Sequence, residues 1–311
     1  MARIVFMGTP EFAVPSLAAL ARAGHDIPAV VTREDHRAGR GQRTEQSPVK
    51  QFALSQGIPV LQPRSLRTAE YHAAIVDLSA DLIVVAAFGL ILPGQLLALP
   101  PHGCLNVHGS MLPRHRGAAP ITAAILAGDQ EAGISIMLMD EWVDTGPVLR
   151  AASLPVQPDD TTGTLSARLA ELGAELLTAT IPDWIAGALI PTPQPSEGAT
   201  FAPRIDKRDG LIDWREPVLL LERKVRAYLP WPTAFTTWNG QSLKLLRTHI
   251  EEISAKGEPG HVVDDGRRKA GVIGGGGVLW LDDVQLAGKR PLPIEAFLRG
   301  TSGFVGSTLG R

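Results

Sequence analysis

The strongest constraint on the fold is a set of short apolar runs, each ended by glycine, proline and polar residues: Leu82-Ile-Val-Val-Ala-Ala87, Cys104-Leu-Asn-Val-His108 and Ile134-Ser-Ile-Met-Leu-Met139. Runs of five or six residues bounded by turn signals have the length of buried strands, not of helices. Helix-like stretches at 68 to 80 and 118 to 127 alternate with them, which is the pattern of an α/β sheet. The start of the chain has the same rhythm. Arg3 to Met7 reads as a strand, Gly8 as a turn, Thr9 as an N-cap, Pro10 as the first residue of an amphipathic helix, and Ile27 to Thr32 as the next strand. This opening resembles a Rossmann unit, but G-T-P-E-F has one glycine where a dinucleotide fingerprint needs three. Close approach of a pyrophosphate is not provided for, which weighs against an NAD enzyme.

An open α/β sheet binds ligands outside the carboxyl ends of its strands, and the polar groups between Gly103 and Gly146 fall there. Asn106 and His108 are two apart, so on a strand they project from one face. Asp144 sits in a loop closed by Thr145 and Gly146. Amide, imidazole and carboxylate without a nucleophile suit an acyl transfer to an amine that the substrate brings. The amide donates to the oxyanion, and losing such a donor costs roughly a hundredfold to a thousandfold in rate. The imidazole moves the proton near neutral pH, and the carboxylate fixes the ring and favours its charged form. Taken singly, each has a plainer reading as a turn former, a core histidine or a turn; their convergence favours chemistry. Ser110 with His108 and Asp144 could be written as a hydrolase triad, but H-G-S-M-L lacks the second glycine of a nucleophile elbow, so Ser110 reads as shaping the loop. His102, His108 and His115 do not have the spacing of zinc ligands.

The segment N-V-H-G-S-M-L-P-R-H-R-G-A-A-P-I, with D-T-G downstream, resembles the signature of the folate-dependent formyltransferases. I-V-F-M-G-T-P-E-F at the start, H-R-A-G-R-G-Q-R and S-P-V-K at 36 to 50, A-F-G-L-I-L-P at 87 to 93, L-I-D-W at 211 to 214 and R-A-Y-L-P-W-P at 226 to 232 are similar to the same family. The likeness runs in order along nearly the whole chain and points to the members that act on methionine esterified to initiator tRNA. It implies a Rossmann-like catalytic domain with a mostly parallel sheet over residues 1–189, a linker over 190–207, and a small OB-like β-barrel domain that binds tRNA over 208–311. It also implies 10-formyltetrahydrofolate as co-substrate, tetrahydrofolate as product and no metal. Asn106, His108 and Asp144 match the family's catalytic residues. Phe88, Gly89, Leu90, Ile91, Leu92, Ser110, Met111, Leu112 and Pro113 are expected at the folate, and Arg37, Arg40, Arg43, Lys207, Arg223 and Lys224 at the tRNA.

Parts of this picture have support in the residues themselves. Between Arg67 and Arg114 there is no Lys or Arg, so the turn at 88 to 92 offers an uncharged wall for a flat heterocycle. Residues 33 to 50 carry Arg33, Arg37, Arg40, Arg43 and Lys50 among glycines; alone this reads as a solvated surface loop, and with the resemblance as the finger that grips the acceptor stem. Residues 1–189 hold 13 Lys+Arg against 18 Asp+Glu, and 190–311 hold 17 against 14, which leaves the second part basic and favours contact with a polyanion. Pro191, Pro193 and Pro195 mark a stiff connection. Beyond it, 217 to 228 reads as a helix with Arg223, Lys224 and Arg226 exposed. Short strands follow at 235 to 250, 260 to 264, 270 to 273, 278 to 282 and 284 to 286, with Gly274 to Gly277 as a hairpin turn. Arg267-Arg268-Lys269 and Lys289-Arg290 could follow a phosphate backbone, although isolated charge clusters are more often solvated faces.

A chain of 311 residues is long for one core. One cysteine, Cys104, forms no internal disulfide and suits a reducing compartment, where it reads as a small apolar strand residue. With no signal-peptide pattern and no run of membrane-spanning length, a cytoplasmic protein is expected, and a monomer, for want of a long apolar seam. Three rivals stand beside this reading: a formyltransferase acting on a small amine or amino sugar, a formyltetrahydrofolate hydrolase, and a noncatalytic RNA-binding module.

Overall fold

The computed structural model describes residues 1–38, 43–251, 257–266 and 269–310, with only the backbone of 36–38 and 43–44. Contacts divide the chain into two compact units, one of Met1–Ile121, Glu131–Pro155 and Ser166–Pro203, the other of Thr122–Gln130, Val156–Leu165 and Arg204–Arg311. The elements begin with β1 (Ile4–Gly8), α1 (Val14–Arg22), β2 (Val30–Val31), β3 (His36–Ala38), β4 (Arg43–Glu45), α2 (Pro48–Ser55), β5 (Val60–Leu61), α3 (Ala69–Asp77) and β6 (Leu82–Ala86). They continue with α4 (Gly94–Leu97), β7 (Cys104–His108), β8 (Arg116–Gly117), α5 (Pro120–Ala127), β9 (Glu131–Leu138), β10 (Val148–Pro155), α6 (Thr162–Ile185) and β11 (Phe201–Ala202).

The first unit is built on a seven-stranded sheet in the order β10-β9-β7-β6-β1-β2-β5. Strands β5, β2, β1, β6 and β7 are parallel, and β9 and β10 add an antiparallel edge. Every residue of β1 and β6 is buried, as expected of parallel strands covered on both faces. Local chemistry sets the helix starts. Ser47 Oγ accepts from the Lys50 amide at 3.1 Å and Thr68 Oγ1 from the Tyr71 amide at 3.4 Å, each satisfying one of the orphan donors of a first turn.

Two details of the opening differ from the sequence reading. The second strand is only Val30–Val31, because Pro28 has no N–H to give a ladder. Thr9 does not cap the following helix; its hydroxyl donates to the Phe88 carbonyl at 3.1 Å and joins the first turn to the turn after β6. The basic loop contains a hairpin in which His36 pairs with Glu45, Arg37 with Thr44 and Ala38 with Arg43; Arg40 lies outside the described residues.

The second unit holds α7 (Val218–Ala227), β12 (Phe235–Trp238), β13 (Gln241–Glu251), β14 (Val262–Asp264), β15 (Ala270–Gly274), β16 (Gly277–Leu286), β17 (Leu292–Pro293) and α8 (Ile294–Arg299). Its sheet is antiparallel, in the order β12-β13-β16-β15-β14, with β17 on β16. Trp238, Phe297 and Phe304 meet edge to face in its core. Gly274 pairs with Gly277, so the four glycines do make a hairpin turn. Where two strands were expected, β16 runs unbroken through Asp282 and Asp283. Partners on β13 offset the weak strand preference of the aspartates: Arg247 Nε lies 2.8 Å from Asp283 and His249 Nδ1 3.0 Å from Asp282. Among the described residues no helix is long and apolar enough to cross a membrane.

Candidate active site

Strand β7 lies between β6 and β9 in the sheet and delivers Asn106 and His108 at its C-terminal end. Asp144 comes from the loop after β9 and has φ of 52°, a left-handed conformation that an aspartate tolerates better than most residues. The tight turn there needs Gly146, since a Cβ at that position would stand 1.8 Å from the Leu138 carbonyl oxygen.

Three contacts converge on the Asp144 carboxylate. Asn106 Nδ2 donates to Oδ1 at 3.2 Å, the Gly117 amide donates to Oδ2 at 2.8 Å, and His108 Nδ1 lies 3.6 Å from Oδ2. Because a carboxylate only accepts, the Asn106 NH2 must face it, which leaves one N–H of the amide for another acceptor. On its other side the ring places Nε2 3.1 Å from the His115 carbonyl. A carbonyl also only accepts, so Nε2 carries the hydrogen and Nδ1 of the neutral ring is a lone pair turned to Asp144. Burial pushes the His108 pKa below its ordinary value, while the Asp144 charge and the His115 carbonyl pull it back up. The ring is therefore neutral at rest and has a carboxylate beside the nitrogen that would take a proton.

The 110–117 loop that supplies the His115 carbonyl is braced from inside and outside. Ser110 Oγ donates to the Arg114 carbonyl at 2.6 Å, and Ser135 Oγ to the Ser110 carbonyl at 2.8 Å. Ser110 thus shapes its loop and is not turned to His108 as a nucleophile. The His115 amide donates to Thr200 Oγ1 at 2.8 Å, and β11 pairs with β8. Gly117, with φ of 116°, passes so close to this strand that a Cβ would meet the Ala202 carbonyl oxygen at 2.4 Å. Arg116 donates through Nε and Nη2 to Gln194 Oε1 at 3.0 and 2.8 Å, and Gln194 Nε2 donates to the carbonyls of Asp144 and Gly146 at 2.9 and 2.7 Å. Gln194, Thr200, the Gly117 amide and the His115 carbonyl were not found from the sequence. Two are main-chain groups that any residue carries, and the other two lie far along the chain with no spacing that links them to Asp144.

Of the residues expected at the folate, Phe88 and Leu92 are buried in a cluster with Leu96 and Cys104 and form the back of the turn after β6. Gly89 takes φ of 80°, Leu90 is half-buried and Ile91 is 74% exposed. Arg33 donates to the Gly89 carbonyl at 3.2 Å. The start of α4, just after this turn, lies against the loop that carries Asp144: a Cβ on Gly94 would crowd Glu141 Oε1 at 2.8 Å. Ser110 is buried, Met111 exposed, and Leu112 and Pro113 half-buried; the Leu112 amide donates to Ser135 Oγ at 3.1 Å. Burial pushes the Cys104 thiol up to about 12, so it is an inert strand residue, as its sequence context suggested.

The cations of α7 are less exposed than the sequence reading expected. Lys224 pairs with Glu216 at 2.5 Å, Arg226 with Glu222 at 2.5 Å, and Arg223 donates to the Ala127 carbonyl at 3.2 Å. Glu216, just before α7, and Glu222, one turn before Arg226, hold Lys224 and Arg226 down, and neither shows in a reading of the basic residues alone. Lys207 is exposed in a short 3-10 turn. Arg37 and Arg43 lie in β3 and β4, while Arg267 and Arg268, like Arg40, lie outside the described residues.

The formyl transferase family matches residues 2–181, and the formyl transferase C-terminal domain matches residues 204–302. A methionyl-tRNA formyltransferase of Myxococcus xanthus is 50% identical over 298 residues, covering 96% of this chain and 95% of that protein. One of Geobacter sulfurreducens is 44% identical over 309 residues, covering 99% and 96%. A solved structure of WlaRD, a sugar 3N-formyl transferase, in the presence of dTDP and 5-N-formyl-THF has a TM-score of 0.65 at 18% identity, covering 93% of this chain and 99% of that one. HypX from Aquifex aeolicus in complex with tetrahydrofolic acid has a TM-score of 0.65 at 19% identity over 98% of this chain, which spans only 48% of HypX. Identities this low speak for the fold alone. With both parts of the sequence matched and relatives of equal length up to half identical, the chain belongs to the formyl transferase family, among its methionyl-tRNA formyltransferases.

Proposed function

We propose that this chain transfers the formyl group of 10-formyltetrahydrofolate to the α-amino group of methionine on initiator tRNA, giving formylmethionyl-tRNA for translation initiation. The observation that carries the chemistry is the joint hold of Asp144 on Asn106 and His108, with one Asn106 N–H left over. The α-amino nitrogen attacks the formyl carbon, the carbonyl oxygen gains negative charge, the bond to N10 of the folate breaks, and the amine proton ends on N10. Asn106 donates its remaining N–H to the oxygen as charge develops. His108 accepts the amine proton at Nδ1 and returns it to the leaving nitrogen, while Asp144 stabilises the imidazolium between those events. No protein nucleophile is required, in keeping with a Ser110 hydroxyl already bonded to Arg114 and a buried Cys104.

The turn from Phe88 to Leu92 suits the folate ring. Its back is packed by Phe88 and Leu92, and Ile91 is exposed on it. Ser110, Met111, Leu112 and Pro113 are assigned to the folate as well. For the tRNA, the basic loop of residues 33 to 50, with Arg37, Arg40 and Arg43, approaches the acceptor stem, and Lys207 serves the second domain, in an organisation of 1–189, a linker over 190–207 and 208–311. Arg223 and Lys224 contribute by releasing the Ala127 carbonyl and Glu216. We read the protein as a cytoplasmic monomer.

The test is an acceptor panel: 10-formyltetrahydrofolate with initiator Met-tRNA, elongator Met-tRNA, free methionine, an amino sugar nucleotide and no acceptor. Formylmethionine formed on initiator tRNA and not on the small amines is expected. Transfer to the amino sugar, or donor breakdown without any acceptor, would replace this reading with the small-amine or hydrolase alternative.

A further inference from the structure

We propose that Gln194 is a positioning residue for formyl transfer, its side-chain amide setting the Asp144 carboxylate against Nδ1 of His108, so that the proline-rich segment is part of the active site as well as a connection. This rests on the formyl-transfer reading of the site.

All four hydrogen-bonding positions of the Gln194 amide are used. Nε2 gives its two hydrogens to the carbonyls of Asp144 and Gly146, at 2.9 and 2.7 Å, and Oε1 takes both Nε and Nη2 of Arg116, at 3.0 and 2.8 Å. A glutamine has no further capacity. The two carbonyls flank Thr145, so one side chain pins both ends of the turn in which Asp144 holds its left-handed φ of 52°. The other hand of the clamp holds Arg116, whose neighbour Gly117 gives its amide to Asp144 Oδ2 at 2.8 Å. Gln194 therefore fixes the Asp144 main chain directly and the carboxylate through the next residue of the clamped segment. That carboxylate is the group 3.6 Å from His108 Nδ1 and 3.2 Å from Asn106 Nδ2. Proline on each side of Gln194, at 193 and 195, restricts the backbone from which the side chain reaches. Six residues further on, Thr200 Oγ1 accepts from the His115 amide at 2.8 Å, next to the carbonyl that receives His108 Nε2–H. One segment thus supports the partners of both ring nitrogens.

The two hydrogen bonds from Nε2 to the Asp144 turn are the direct part of this positioning, and two variants test it. Gln194→Met keeps the length and loses every hydrogen bond. Gln194→Glu keeps the acceptor for Arg116 and loses both donors to the turn. Both are expected to lower kcat about 100-fold, the scale of a displacement of about 1 Å at a reacting group, with KM for 10-formyltetrahydrofolate and for Met-tRNA within about twofold of wild type. Both are also expected to move the acid limb of the kcat/KM profile to lower pH, because an Asp144 charge displaced from the ring no longer favours its protonation. Wild-type activity in Gln194→Glu would show that the direct hydrogen bonds to the turn do not position Asp144 and would overturn the proposal. So would an unchanged limb with unchanged kcat, or a loss confined to KM. If Gln194→Met does not fold, Gln194→Asn carries the same test, since it keeps both groups but falls a methylene short. Wild-type enzyme run alongside separates the two ideas: a wild type that forms no formylmethionyl-tRNA refutes the formyl-transfer reading, whereas an active wild type matched by full activity in both variants refutes only the role of Gln194.

Discussion

The carboxylate of Asp144 stands 3.6 Å from Nδ1 of His108, while Nε2 of that ring is committed to the His115 carbonyl. The proton-accepting nitrogen therefore faces a group that would welcome the resulting charge. Burial and the carboxylate act on the ring in opposite directions, and burial dominates.

The balance predicts a pH dependence. In the free enzyme His108 titrates below its ordinary value of 6.5, so the acid limb of kcat/KM falls below about pH 6.5. Asp144→Asn removes the charge that favours protonation and should move that limb further down, along with a lower rate. A limb that rises in the variant would contradict the assignment. Stability follows the same sign. Above about pH 6.5 the ring is neutral in folded and unfolded chains alike; as the pH falls below it, the unfolded chain takes up the proton first and the folded state loses stability. Melting temperatures between pH 7 and pH 5 should fall more for wild type than for His108→Asn.

Asn106→Ala should lower kcat by roughly a hundredfold to a thousandfold, the typical loss on removing an oxyanion donor, and should leave KM for the folate nearly unchanged. A change in KM alone would place Asn106 in binding and not in the transition state.

The strand logic made part of this site legible. Asn106 and His108 two apart on a strand, and a D-T-G turn after the next apolar run, are enough to bring the three groups together from the sequence. The residues that hold them are not legible, because Gly117 donates and His115 accepts through main-chain groups, and Gln194 sits 50 residues from Asp144 in a segment whose prolines say only that it is stiff. Strand β10 was missed for a related reason. V-L-R-A-A-S-L-P alternates half-buried and exposed positions through small residues, and alanine and serine carry too little apolar contrast to show a period of two. The continuity of β16 depends on Arg247 and His249 from another strand, which no local reading of Asp282 and Asp283 could supply.

Arg40→Ala should weaken productive use of tRNA while leaving hydrolysis or binding of the folate donor alone. Loss of one phosphate contact also lowers the slope of log affinity against log salt by about one unit. Unchanged tRNA kinetics and salt slope would remove Arg40 from the tRNA contact.

The core of the second unit offers a stability test free of catalysis. Phe304 is fully buried and meets Trp238 with centroids 5.4 Å apart and Phe297 at 5.0 Å, both edge to face. Phe304→Ala should cost about 3–5 kcal/mol in denaturation followed by tryptophan fluorescence. A loss under about 1 kcal/mol would mean that this cluster does not organise the unit.

The most direct measurement is single-turnover formyl transfer from labelled 10-formyltetrahydrofolate to initiator Met-tRNA by wild type and His108→Ala, with tRNA affinity measured on the same preparations. The account predicts labelled formylmethionyl-tRNA from wild type and a rate lower by about 100-fold or more in the variant, with tRNA affinity nearly intact. Equal loss of rate and affinity, or a variant as fast as wild type, would contradict the assignment of proton transfer to His108.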